Sequence, residues 1–186
     1  MEHDPDEVLR QTRLWLQRAV IGLNLCPFAK AVHVRHQIHW ALSQATTLAG
    51  VLSDLQIELN ALVQSEPEQL DTTLLVAPEA MHDFPEMLDL LDQADRMLRR
   101  MGLEGILQIA SFHPRYQFAG TGPDDIENFT NRAPYPVLHL LRENSVDRAV
   151  AAFPDARDIY EANIATLRQL GHEGWHQLMN EPEHGS

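Results

Sequence analysis

The chain has 186 residues, 44% hydrophobic and 22% charged, which suits one soluble globular domain with an ordinary core and excludes a disordered chain. A net charge of −13 argues against general nucleic-acid binding, and no apolar run approaches the roughly 20 residues of a membrane span. A single cysteine, Cys26, excludes an internal disulfide framework, and the acidic start lacks a secretory pattern, so the cytoplasm is the expected compartment.

Asp4-Pro5 supplies a cap and a first turn, and Val8, Leu9, Leu14, Leu16, Val20 and Ile21 predict a helix ending at Gly22. Leu23-Asn24-Leu25-Cys26-Pro27-Phe28 reads as a turn, because Pro27 opposes a helix running through Cys26. Residues 32–40 alternate and predict a strand, with Val34, His36, Ile38 and Trp40 on one face and His33, Arg35, Gln37 and His39 on the other. Leu48, Val51, Leu52, Leu55, Leu59 and Leu62 place a long helix over 43–63. Thr72 to Ala77 is an apolar strand buried on both faces, Pro85 opens a helix over 86–101, and Gly102 stops it. A third strand runs over 106–112, and a long loop follows from His113 to Pro134. Pro136 starts a helix through His139 and Arg142, with a break near Asn144 and Ser145; a last helix covers 159–170.

Charge is unevenly spread. No acidic residue occurs between Glu7 and Asp54, whereas Arg10, Arg13, Arg18, Lys30 and Arg35 fall there with His33, His36 and His39. A second acid-free stretch, residues 105–123, holds His113 and Arg115. If the two meet, they form a cationic pocket for a small anion, since guanidinium offers carboxylate or phosphate a planar fork. The alternative is a partly buried helix and no pocket.

The densest chemistry lies between residues 108 and 142. In His113-Pro114-Arg115-Tyr116-Gln117, Pro114 holds His113 extended, Arg115 is placed to hold an anion, and histidine titrates near neutral pH. The competing reading is a structural knot in which His113 and Arg115 bind loop carbonyls. Asn131-Arg132 and the Pro134-Tyr135-Pro136 step prepare a helix N-terminus that favours anions, with His139 and Arg142 on one helical face. Against this stands an ordinary helix with His139 packed and Arg142 paired to Glu143 or Asp147. Cys26-Pro27 offers a thiol nucleophile if a cation or helix end lowers its pKa, a thiolate ligand for haem, or merely a small buried hydrophobe. His33, Arg35 and His39 would line the same pocket. Asp124, Asp125 and Glu127 suit either a cation or a solvated turn. No His-Glu-x-x-His, Cys-x-x-Cys, phosphate-binding glycine loop or Gly-x-Ser-x-Gly elbow occurs, so no metal site is specified.

Three stretches carry a resemblance: Gly22-Leu23-Asn24-Leu25-Cys26-Pro27-Phe28, residues Gln108 to Gly120, and Asn131-Arg132 with Tyr135-Pro136 to Arg142. In these the chain resembles the bacterial family known as domain of unknown function 1415, from the first helix to about residue 170. The resemblance implies a cytoplasmic bacterial protein of one domain. It implies no activity.

The expected fold is α+β or α/β, a small, partly parallel sheet of three or four strands from βαβαβ units, flanked by helices. Residues 1–186 form one domain, with 181–186 a frayed tail. The expected function is a small enzyme acting on an anionic metabolite. His113 and His139 would handle protons and Cys26 would be an optional nucleophile. Arg115, Arg132 and Arg142 would bind the anion, with Tyr116, Gln117, Asn131 and Arg35 beside them. The alternatives are a non-catalytic binding protein for an anionic ligand, metal or haem, and an interaction protein whose cationic face docks an acidic partner. Cofactor and oligomeric state stay open.

Overall fold

A computed structural model describes residues 3–151 and 155–182. The first helix, α1 (Pro5–Trp15), starts on Asp4, whose side chain accepts from the Asp6 amide, and carries Asp6 and Glu7 in its first turn, where the helix dipole favours them. It continues as a π-helical stretch, Leu16–Ile21, and ends at Gly22, where any Cβ would overlap the Arg18 carbonyl. After a short turn comes α2 (Pro27–Val34), with Cys26 at its N-cap and Pro27 in its first turn. The strand expected over 32–40 is thereby shortened. Val32, His33 and Val34 are helical, His36 turns the chain with φ 55°, and β1 covers only Ile38–Leu42.

Thr47 caps α3 (Leu48–Gln64) by accepting from the Gly50 amide, so this helix begins later than the apolar pattern suggested. The strand β2 (Thr72–Val76) is buried along its whole length. Asp83 caps α4 (Phe84–Arg100), whose last turn holds Arg99 and Arg100 against the helix dipole. Next, β3 (Leu107–Phe112) leads into the long loop, which contains a 3₁₀ turn over Ile126–Asn131. The segment expected to be a helix from Pro136 is instead β4 (Val137–Arg142), followed directly by α5 (Glu143–Val150). The last helix, α6 (Ala156–Asn180), is longer than expected and is broken at Gly171, whose φ of 68° and ψ of 175° are not helical. The tail expected to fray lies outside the described residues from 183 onward.

The four strands form one mixed sheet in the order β1-β2-β4-β3. β1 and β2 are parallel, and β4 runs antiparallel between β2 and β3. Every strand alternates between two packed layers. Leu75, Leu138 and Leu140 meet Leu55, Leu59 and Leu62 of α3 and Met87 and Leu90 of α4. On the other face Leu74, Val76 and Val137 meet Trp15, Leu16 and Val20, while Leu141 meets Phe28 and Val32 of α2. Each of these large side chains contributes roughly 1.5–3 kcal/mol on burial. The fold is therefore α+β, with helices on both faces of a small sheet. Among the described residues no helix is long and apolar enough to cross a membrane.

Candidate functional site

His113 follows β3 directly, at the end of the sheet where β2 also finishes, and is only 1% exposed. Its Nδ1 accepts the Arg115 amide at 2.9 Å, so the proton sits on Nε2, which donates to the Met81 carbonyl at 2.8 Å. Both ring nitrogens are thus occupied by backbone. Burial is the largest influence on its pKa and lowers it, with the Arg115 and Arg132 charges acting the same way. The hydrogen bond to the Met81 carbonyl, the next-largest influence, pulls it upward, as does the Asp83 charge. Met81 itself is held at φ 55°, a left-handed conformation that a side chain rarely adopts.

The neighbouring expected residues also serve the loop. The Arg115 guanidinium donates to the His82 carbonyl, so His113 and Arg115 clamp two successive peptide groups. Tyr116 packs between Phe84 at 4.7 Å and Phe118 at 5.0 Å, and burial raises its phenol pKa. Gln117 donates to the Thr121 carbonyl. Asn131 donates to the Ser111 carbonyl at 3.0 Å, and its own carbonyl accepts from the His113 amide. Arg132 donates from Nε to the Tyr116 carbonyl at 3.1 Å and from Nη2 to the Pro123 carbonyl, with its guanidinium 4.7 Å from the Phe129 ring centre. The centre of this knot is Asn128, fully buried, accepting from the Phe118 amide and the Thr121 hydroxyl and donating to the Gly122 carbonyl. Nothing in the acidic stretch around Asn128 marked it as special.

Other expected residues lie elsewhere. Arg142 ends β4, and Val137, at the strand's other end, pairs with Phe112 next to His113. Six strand residues separate the two by about 17 Å. Arg142 was expected on a helix face with His139, but a strand sends them to opposite sides of the sheet. Its Nη2 caps the end of α3 through the carbonyls of Leu62 at 2.7 Å and Ser65 at 2.6 Å, and its Nε lies 3.7 Å from Asp71. It is a partly buried strut, not part of a site with His113. Arg35 is exposed at the C-cap of α2, just before β1, again away from His113. His139 sits mid-strand between Leu74 and Ala110, 7% exposed, with the rings of Phe112 and Phe28 at 6.1 and 6.4 Å. Burial lowers its pKa from the ordinary 6.5 to about 4, which keeps it neutral. Cys26 is partly buried beside Phe28 and Val32, and burial raises its thiol pKa against the opposing pull of the Ala29 and Phe28 amides. Among the described residues no hydrogen bond, ion pair or ring contact joins Cys26, His113 and Arg142.

An open space does occur at the His113 end of the sheet. A cleft of about 350 Å³ lies among Trp15, Phe129, Arg132, Pro134, Trp175 and Met179. A smaller recess of about 190 Å³ adjoins it among Pro78, His113, Pro114 and Tyr135. The two acid-free stretches meet here, Trp15 of α1 packing 4.9 Å from Phe112. Of the expected residues only Arg132 lines the larger cleft. Trp175 and Met179 come from the far half of α6, beyond residue 170, where the last helix was expected to end. Among the described residues no group of three or more His, Cys, Asp and Glu could hold a metal ion.

Neither a curated protein nor a solved structure matches the chain. A family model described as "Protein of unknown function (DUF1415)" matches residues 7–177, nearly the whole length, and the chain belongs to that family.

Proposed function

We propose that this protein binds a small anionic molecule in the cleft between the long loop and α6, with Arg132 as the anion contact. The observation that carries the reading is the state of Arg132. Two of its nitrogens are spent on the Tyr116 and Pro123 carbonyls and its plane is held over Phe129, yet Nη1 has no partner among the described residues. A guanidinium fixed in this way loses little rotamer freedom when it accepts a ligand, which is how preorganisation adds affinity. Asp124 acts on it only through space. The cleft is also of the size at which small-molecule sites begin, roughly 300–1,000 Å³.

Binding is favoured here over acid–base catalysis. His113 has neither ring nitrogen to spare, and His139 is surrounded by apolar side chains. The lone cysteine fits a reducing cytoplasm. The test is nuclear magnetic resonance of the side-chain nitrogens while acetate and then hexanoate are added. Shifts confined to Arg132 and the Trp175 indole are expected, with Arg142 unmoved. Shifts at Arg142, or none at Arg132, would overturn the proposal.

A further inference from the structure

The walls of this cleft also bear on what kind of molecule fills it. Resting on the binding reading above, we infer that the ligand is an aromatic monoanion: a flat ring carrying one carboxylate or similar group. Phe129 and Trp175 stand 5.1 Å apart at 75°, so one offers an edge where the other offers a face. A third ring inserted beside them meets a face and an edge together, the arrangement that aromatic quadrupoles prefer. Trp15 lies in the same wall, itself fixed edge-on to Phe112 at 68°. Met179 adds a thioether, which makes favourable contacts at ring edges, and Pro134 adds a flat, rigid side.

What is missing from the wall is as informative. Among the described residues that line the cleft there is no Leu, Ile or Val, the side chains that usually bury an acyl chain. One guanidinium at the margin, with Asp124 acting against a high negative charge, suits a single anionic group better than a polyphosphate. Because the guanidinium is stacked on the same Phe129 that forms the wall, a ligand ring and its anionic substituent would be read side by side.

The experiment is calorimetric titration of the full chain with phenylacetate, hexanoate and phenylacetamide at neutral pH, repeated with Trp175→Ala. Phenylacetate is expected to bind at least about fivefold more tightly than hexanoate, from ring–ring contact. It should also exceed the neutral amide by about tenfold, from the charge-assisted hydrogen bonds to Arg132. Trp175→Ala should reduce the preference for phenylacetate over hexanoate. Hexanoate binding as well as phenylacetate would overturn the aromatic assignment while leaving an anion site in place. Equal binding of phenylacetamide would overturn the anionic part. No binding by any of the three would overturn both the assignment and the cleft as a binding site.

Discussion

His113 and His139 are both buried histidines on consecutive features of the same sheet, but they are held in opposite ways. His113 has a backbone partner on each nitrogen, while His139 is packed against two phenylalanine rings. The difference is measurable through pH. Above pH 6.5 His139 is neutral whether the chain is folded or not, so it makes no pH-dependent contribution. Below 6.5 the unfolded chain takes up a proton that the folded one refuses until about 4, because burial holds the folded pKa there. Stability therefore falls as pH falls through that window, by something on the order of 3 kcal/mol, and then levels off. His139→Leu should remove that part of the slope, as read from urea unfolding at pH 7 and pH 4.5. A variant as acid-sensitive as the parent would mean that other groups carry the effect. At this scale the sequence was half legible. The run from His113 to Gln117 was recognisable as unusual, and both of its open readings, anion pocket and structural knot, were visible in it. The residue types do not say whether a guanidinium faces a ligand or a carbonyl. That is decided by where loop carbonyls such as those of Met81 and His82 come to lie.

At the level of elements, periodicity found α1, α3, α4, β2 and β3 because each has a long apolar stripe or a fully buried run. It failed where the pattern was short or uniform. Over residues 32–40 the apolar alternation is interrupted by the polar run Arg35-His36-Gln37, which leaves Val32-His33-Val34 too short a piece to tell a strand from a helix that Pro27 has already started. Val137-Leu138-His139-Leu140-Leu141 has no period at all, since β4 is buried on both faces, and its leucines favour a helix by propensity. Burial between two strands outweighed that preference. The last helix, expected over 159–170, runs on past Gly171, a joint at which α6 changes direction and continues to Trp175 and Met179. The Gly171 φ of 68° and ψ of 175° fall in a region essentially reserved for glycine. No other group crowds it, so backbone strain alone should set the cost of Gly171→Ala, about 1–3 kcal/mol. Hydrogen exchange of residues 172–180 should speed up by more than that of residues 157–170. An unchanged unfolding midpoint would mean that the two halves join equally well as one straight helix.

The whole molecule is assembled around a strand that arrives late. β2 and β3 do not touch; β4 lies between them and satisfies both, so the centre of the sheet is incomplete until residue 142. The same strand supplies Leu138 and Leu140 to one packed layer and Val137 and Leu141 to the other. Its arrival thus closes two cores at once, and the contacts it makes with β2 span more than sixty residues of chain. Pairings of such long range cost loop-closure entropy before they return any energy. A chain ending at Pro136 keeps every side chain of α1, α3 and α4 and the pairing of β1 with β2, but leaves the backbone groups along the other edge of β2 unpaired, each at a cost of about 1–3 kcal/mol where it stays buried. Against a total stability of roughly 5–15 kcal/mol for a domain, that loss is decisive. Such a fragment should show helical far-ultraviolet dichroism with no cooperative urea transition, and addition of a peptide spanning 137–150 should restore the transition. A sharp transition in the fragment alone would show that β1 and β2 with α3 and α4 already make an independent core, and that β4 is an addition to it and not its keystone.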